Sequence, residues 1–384
     1  MASIALGLYA GLSVLALYEG MLRSRIRTLI DEETGHIQIH NPCFTEEMEA
    51  GCYIENPQRL LKMLARLPEV SQTNARVVTA GMLSTARGTA GVQVIGCNTI
   101  TELSFSALGR KTDEGHVFRP GRRNQAIIGR KLAEKMKLRP GARFVLMFND
   151  SASSLISAAF RVTAIYHSTN SALDERLVYV QADELAGLLA MPGQIHEIGL
   201  KLHRDENVEA LAQNLKKLFP GLKTETWKEI SPETDFLAKT ADTYSYVVVV
   251  IIMIALAFGI LNTMLMAIME RTREIGMIAA LGASRRRIFG LVICETVFLT
   301  AAGVPAGIFL AWITCTYFGQ TGLDLSGMGE EMMSGYGFQT IIYPEFPLKK
   351  LVPVLSVVSI TALISGFFPA WKAAGMKPAD TLKI

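Results

Sequence analysis

Residues 246–292 constrain this chain more than any other stretch. The apolar run YVVVVIIMIALAFGILNTMLMAIM is followed at once by ERTREIGMIAALGASRRRIFGLV. At 1.5 Å of rise per residue the first part is long enough to cross a hydrocarbon core of ~30 Å, so it belongs in lipid. The second part is charged and partly amphipathic, which suits a membrane surface where another protein can meet it.

Of 384 residues half are hydrophobic and only 19% are charged. That is too apolar for an ordinary soluble protein and too charged for one that is all membrane. The excess sits in Tyr246–Met269, Ile288–Phe318 and Leu351–Trp371, with a further window at Ala2–Leu22 broken only by Ser3, Ser13, Glu19 and small residues. No Lys or Arg precedes the apolar run of that N-terminal window and no A-x-A exit follows it, so it reads as a retained helix rather than a signal peptide. The net charge of +3, with no basic stretch interleaved with aromatics, gives no footprint for nucleic acid.

Lys and Arg flanking spans are retained on the cytoplasmic side, and this sets the orientation. Arg271, Arg273, Arg285, Arg286 and Arg287 are opposed only by Glu270 and Glu274, which places that connection inside. The expected organisation is a polytopic α-helical membrane protein with four transmembrane helices and a large α+β extracytoplasmic domain. Its order is a first span at 1–22, the outer domain at 23–243, a second span at 244–269 and a cytoplasmic coupling segment at 270–287. A third span at 288–318, an outer loop at 319–350, a fourth span at 351–371 and an inner tail at 372–384 complete it. Arg23, Arg25 and Arg27 follow the first span on the side assigned outside. Long translocated domains obey the charge rule poorly, and these arginines can continue the helix as a stalk.

Within 23–243 the periodicity switches repeatedly between two and about 3.6, as a mixed fold requires. HIQIH at 36–40 alternates, with Ile37 and Ile39 on one face. Asn56 before Pro57 reads as a helix cap, and Leu60, Leu64 and Leu67 as the apolar stripe that follows. Ile128, Leu132 and Met136 recur at helical spacing before Pro140 and Gly141 turn the chain into the strand FVLMF at 144–148. From Phe160 the order is strand (FRVTAIY), strand (LVYV), helix (ADELAGLL), strand (EIGLKL), helix (208–218) and strand (KTETW), predicting a small sheet with helices packed on it.

The chain contains no G-x-x-x-x-G-K-[ST], H-E-x-x-H, G-x-S-x-G or C-x-x-C, so no catalytic constellation is evident and nucleotide energy must come from a partner. His36 and His40 share a strand face, but without a third ligand nearby they read as solvent-facing polar residues rather than a metal site. Cys43 with Cys52 is one candidate disulfide in the outer region, and three ordinary thiols, Cys97 included, are the alternative. Glu295 is a candidate intramembrane polar site, since it falls one or two turns inside the third span. It either bonds a neighbouring helix or points toward Arg285–Arg287. Gly303, Pro305 and Gly307 mark a kink or a close helix contact in the same span. In the coupling segment Ile275, Ile278 and Leu281 are read as one helical face, Gly276 and Gly282 as points of close approach, and Glu270, Arg271, Arg273 and Glu274 as directional contacts.

The segment ERTREIGMIAALGASRRRIFGLVICE resembles the cytoplasmic connection of ABC-transporter permeases of the FtsX-like, MacB-like class. PAWKAAGMKPADTLK at 369–383 is similar to that class's C-terminal pattern. GHIQIHNP, IIGRKLAEKMKLRPGARFVL and FRVTAIYHSTNSALDERLVYVQADEL look like the outer domain of the lipoprotein-releasing (LolC/LolE) permeases, a MacB-like periplasmic core. The class carries a basic segment before its first span, whereas this sequence opens almost inside it.

The resemblance implies a non-enzymatic membrane subunit in the inner membrane, paired with a second permease copy or a homologous permease. A separate ABC ATPase subunit would bind ATP and Mg, and this chain would bind no cofactor. Contact with that ATPase carries over to Glu270, Arg271, Thr272, Arg273, Glu274, Ile275 and Gly276, with Ile278 and Leu281 added from the helical face. The implied function is mechanical release of lipoproteins from the inner membrane to a periplasmic carrier. Efflux of small amphiphiles or peptides is the second reading. Signalling to a cell-wall hydrolase is the third, for which an outer domain of about 220 residues is larger than the resemblance requires.

Overall fold

The computed structural model describes residues 2–44, 48–106, 108, 112–119 and 121–376. They form two compact units, one of Met1–Arg23, Leu237–Asp324 and Ile341–Ile384, the other of Ser24–Phe236 and Leu325–Thr340.

The first unit is built on four helices, Ala2–Thr28, Pro232–Glu270, Arg285–Thr321 and Leu348–Ala374, each long and apolar enough to cross a membrane. The size of the buried residues differs from helix to helix. The third helix buries Val292, Thr296, Thr300, Gly303, Gly307, Ala311 and Cys315, three or four residues apart and mostly small. The second buries Val249, Met253, Leu256, Ile260, Met264 and Ile268 at the same spacing. Large apolar groups point outward, with Phe258 69%, Phe298 75% and Trp371 67% exposed. In water such a surface would aggregate, whereas lipid tails solvate it. Gly307 is a point of close approach, since a Cβ there would stand 2.8 Å from the Ala5 carbonyl oxygen.

A polar clamp ties three of these helices together. Lys350 Nζ lies 3.0 Å from Glu19 of the first helix and 3.0 Å from Asp242 of the second. Glu19, the one charge in the N-terminal apolar window, therefore has a cationic partner, which it shares with Asp242. Arg23 pairs with Glu345.

Helix ends differ from the expected spans, and polar pairing explains two of them. The first helix continues past residue 22 to Thr28 and then widens into a π-helical turn at Leu29–Thr34. Arg25 is buried there against Glu33 at 3.0 Å, so this arginine serves a local ion pair. The second helix starts at Pro232 rather than 244, directly after a capping box closed by Thr226 and Glu229 and the turn at Ser231. In the loop 319–350, Leu323–Asp324 pairs antiparallel with Ile341–Ile342, and Glu330–Gly335 is helical. The tail from 377 onward, with most of the KPADTLK end, lies outside the described residues.

The second unit carries a ten-stranded sheet, larger than the one expected. Its strands are β1 (Ile37–His40), β2 (Val70–Thr85), β3 (Gly88–Cys97), β4 (Thr112–Gly115), β5 (Gln125–Gly129), β6 (Arg143–Asn149), β7 (Leu155–Tyr166), β8 (Leu177–Gln181), β9 (Glu197–Leu202) and β10 (Lys223–Thr226). The long hairpin β2–β3 organises it. β2 pairs β9 through its first half and β6 through its second, with β3 along its other edge. Pairings β3–β8, β8–β5, β5–β7, β7–β6 and β6–β2 then close a ring. Alternate residues serve two cores. Val178 and Val180 pack with Phe144, Phe160, Leu132 and Leu185, while Tyr179 and Ile127 pack with Tyr166, Leu177 and Phe118. A third core joins Ile37, Ile39, Leu60, Leu64, Ile198, Leu200 and Leu215.

Several local readings change. Ile128 belongs to β5, and its helix starts only at Arg130, because Gly129 ends a fully buried strand. Asn56 adopts φ 51° and its side chain caps nothing, and the helix stops at Leu64, leaving Leu67 beyond it. Trp227 opens a short helix rather than ending a strand. Cys43 and Cys52 form a disulfide, and Cys97 is a buried thiol.

A buried ion pair lies on β2. Arg76 grips Glu102 through two hydrogen bonds (Nη2–Oε1 2.6 Å, Nε–Oε2 3.0 Å), and Asn74 donates to the same carboxylate. Burial alone would push the Glu102 carboxyl up, but the guanidinium and these donors hold it below the usual carboxylate value. Its contribution is therefore complete above pH ~4.5 and is lost as pH falls toward the lower folded value. Glu102→Ala, which strands a buried guanidinium, is expected to destabilise this unit by about 3–5 kcal/mol, read as a lower melting temperature of the purified full chain. An unchanged melt would show that the pair carries no stability.

Candidate coupling surface

The second long helix ends at Glu270 because Arg271 leaves helical geometry (φ −103°, ψ 21°). A short helix, Thr272–Ala280, follows. It is closed by a Schellman turn in which Gly282, at φ +93°, donates to Ala279 and Ala283 donates to Ile278. A side chain at 282 would be strained by this φ, so that glycine serves the turn. Nothing lies within 4 Å of where its Cβ would be, which excludes close approach. Ser284 precedes the next helix, which opens on Arg285, Arg286 and Arg287, all exposed. Three cations at a helix N-terminus oppose the helix dipole, so their position reflects a preference for the membrane surface rather than for the helix.

The expected apolar face does not hold as one surface. A helical residue turns ~100°, so positions three apart drift by ~60°, and Ile275 and Leu281 end up ~120° apart. Ile275 is buried with Ile268, Ile288 and Val292 of the helical unit, Gly276 is buried beside it, and Ala279 packs on the same cluster. Ile278 is 41% and Leu281 89% exposed. The outward stripe is thus Glu270, Arg273, Glu274, Met277, Ile278 and Leu281, acidic and basic at one end and apolar at the other. Met277, absent from the sequence reading, is 51% exposed and belongs to it. Thr272 turns back on the end of the preceding long helix, donating to the Met269 carbonyl at 2.7 Å.

Arg271 faces the third helix. Its Nη1 donates to Glu295 Oε1 at 3.2 Å, so Glu295 meets Arg271 rather than Arg285–Arg287. One pair accounts both for the carboxylate inside the span and for the elbow's attachment. His36 and His40 are buried, not solvent-facing, and bond Asp205 (3.0 Å) and Glu225 (2.7 Å) respectively. Among the described residues no group of three or more His, Cys, Asp or Glu is placed to hold a metal.

Residues 1–218 match the MacB-like periplasmic core domain, and residues 246–378 match the FtsX-like permease C-terminal domain. The chain belongs to this family of MacB-like, FtsX-like permeases. It is 26% identical over 232 residues to the uncharacterized ABC transporter permease MJ1507 of Methanocaldococcus jannaschii, covering 58% of this chain and 55% of that one. It is 25% identical over 405 residues to the macrolide export ATP-binding/permease protein MacB of Sodalis glossinidius, covering 100% of this chain and 57% of that one. The pyoverdine export ATP-binding/permease protein PvdT of Pseudomonas aeruginosa is 27% identical over 278 residues, 67% of this chain and 37% of that one. The chain thus spans little more than half the length of the first two relatives. The second and third of these names speak of export, so kinship with the lipoprotein-releasing branch is narrower than what the match establishes.

Ile275→Ala should destabilise the helical unit by about 2–5 kcal/mol, whereas Leu281→Ser should change stability by no more than about 0.5 kcal/mol. Thermal unfolding of the two variants in detergent checks this. Equal losses would mean that both side chains are buried.

Proposed function

We propose that the chain is the membrane part of an ATP-driven permease whose elbow, residues 270–287, is gripped by an ATPase subunit that binds ATP and Mg. The outward stripe of the elbow carries this reading. Met277, Ile278 and Leu281 are exposed on a short helix whose opposite face is already anchored, and Glu270, Arg273 and Glu274 flank them with charge. Exposed apolar anchors with a polar rim are what a protein groove takes up. Arg271 and Ile275 act differently in this account: they hold the elbow to its own bundle, so motion of the docked helix is passed to the second and third spans.

The second helix runs unbroken for 39 residues, about 58 Å, well beyond the ~30 Å that a hydrocarbon core requires. The first continues through Thr28. Such continuity supports a mechanical relay toward the residue 24–236 unit, which the charge rule assigns to the far side of an inner membrane. The Cys43–Cys52 disulfide favours the same compartment. A second permease, identical or homologous, would complete the pair around the ATPases.

Two cargo readings remain within this frame. Release of lipoproteins to a periplasmic carrier rests on the outer-domain segments at 35–42, 127–146 and 160–185. Efflux of small amphiphiles is favoured by relatives named for macrolide and pyoverdine export. Transfer of a lipoprotein from the reconstituted complex to a soluble carrier supports the first. Drug sensitivity on deletion, with normal lipoprotein sorting, supports the second.

Glu274→Lys reverses a charge on the stripe and should uncouple ATP hydrolysis from cargo movement while leaving membrane insertion intact. Ile278→Asp should lower recovery of the ATPase with the purified chain by about tenfold or more, because a carboxylate desolvated in an apolar groove costs several kcal/mol. Normal recovery of the complex with both variants would exclude this face as the contact.

A further inference from the structure

Five arginines and a histidine surround one concavity of about 1010 Å³ in the sheet-bearing unit: Arg119, Arg122, Arg123, Arg143, Arg161 and His116. Among the described residues no carboxylate lines it. Arg143 and Arg161 stand directly opposite each other in the β6–β7 register, an arrangement of like charges that weakens a strand pair. Among the described residues, no carboxylate forms an ion pair with Arg119, Arg122, Arg143 or Arg161, while Arg123 acts on Glu184.

The loop that brings in Arg119 and Arg122 is held by one buried amide, Gln125, and one exposed amide, Asn124. Gln125, 3% exposed, accepts from the Arg119 N–H and donates to the Arg119 and Arg122 carbonyls, each at 2.8 Å. Asn124, in the left-handed region at φ 57°, donates from its side chain to the Ala159 carbonyl at 2.8 Å and from its N–H to Glu184 at 2.7 Å. Its own carbonyl accepts from the Arg161 N–H at 2.8 Å. The loop pair of arginines is therefore fixed to the same strand that carries Arg161.

We propose that this concavity binds an anion carrying two or more phosphoryl groups. The guanidinium is a planar fork that takes phosphate oxygens two at a time, and the arginines come as a loop pair and a strand pair, each suited to one phosphoryl group. Bound anion would remove the Arg143–Arg161 repulsion that the empty sheet carries. Ala159 and Phe160 are the apolar side chains of the lining, and Phe160 is only 1% exposed and packed in the core beneath, which leaves little for the apolar anchors of a peptide. None of its residues belongs to the elbow, and its test does not depend on the coupling reading.

The full chain purified in non-ionic detergent is titrated calorimetrically with sodium tripolyphosphate at low and high salt. Saturable binding is expected, weakened by about tenfold or more in both Arg143→Gln/Arg161→Gln and Arg119→Gln/Arg122→Gln, with melting temperatures no lower than that of the parent chain. Lysine at the same positions, which keeps charge but loses the fork, should restore binding only in part and controls for folding. Mixed micelles containing cardiolipin separate the sources of the chemistry. Displacement of tripolyphosphate by cardiolipin supports a lipid headgroup as the ligand, and failure to displace it supports a soluble anion. Absence of tripolyphosphate binding, or binding unchanged in both double variants, would overturn the site. Equal competition by polyglutamate would overturn its phosphoryl chemistry in favour of an acidic polypeptide.

Discussion

The attachment of the elbow to its own bundle is the constraint on which the functional reading depends. Ile275 buried against Ile268 and Ile288 fixes the rotation of the short helix, and Arg271 paired with Glu295 fixes its start. With both in place only one side of Thr272–Ala280 remains available, and that side carries Met277, Ile278 and, just beyond, Leu281. A loose basic linker would satisfy the charge rule equally well, yet it could transmit no displacement. The Schellman turn at Gly282 adds to this rigidity, because it consumes the last carbonyls of the short helix before the third span begins.

Charge elsewhere in the helical unit is handled in the same economical way. Lys350 is shared by Glu19 and Asp242 across three helices, and Arg23 is matched by Glu345. Between this clamp and Arg271–Glu295 the packing is mostly apolar, with small residues on the third helix's contact face against large aliphatic ones on the second, and aromatic groups outward. This distribution suits a bundle whose middle lies in hydrocarbon and whose ends meet water. In the sheet-bearing unit the corresponding internal charge, Arg76 with Glu102, is fully enclosed, so removing either partner would strand a buried charge.

The four spans were legible because hydropathy over some twenty residues needs no tertiary information. Their ends were not, since Arg25 extends a helix only when Glu33 is there to receive it. In the sheet-bearing unit, strands with clean alternation or flanking turns, such as Ile37–His40 and Arg143–Asn149, could be placed from sequence. The hairpin Val70–Thr85 with Gly88–Cys97 could not, because β2 changes neighbours midway and its exposed positions follow the partner rather than a period of two. His36 and His40 read as surface residues for the same reason: their partners Asp205 and Glu225 lie far along the chain. At the elbow the residue types were readable and the face was not, as a spacing of three drifts around a helix while the bundle selects Ile275 alone.

Opposite placement of the elbow and the sheet-bearing unit across the bilayer is the central claim, and cysteine labelling tests it directly. With Cys294, the exposed native thiol, replaced by serine, single cysteines at Leu281 and Lys217 are exposed to a membrane-impermeant maleimide on intact cells. The account predicts labelling at 217 from outside the cytoplasmic membrane and at 281 only after that membrane is opened. Labelling of both positions from the same side would contradict it.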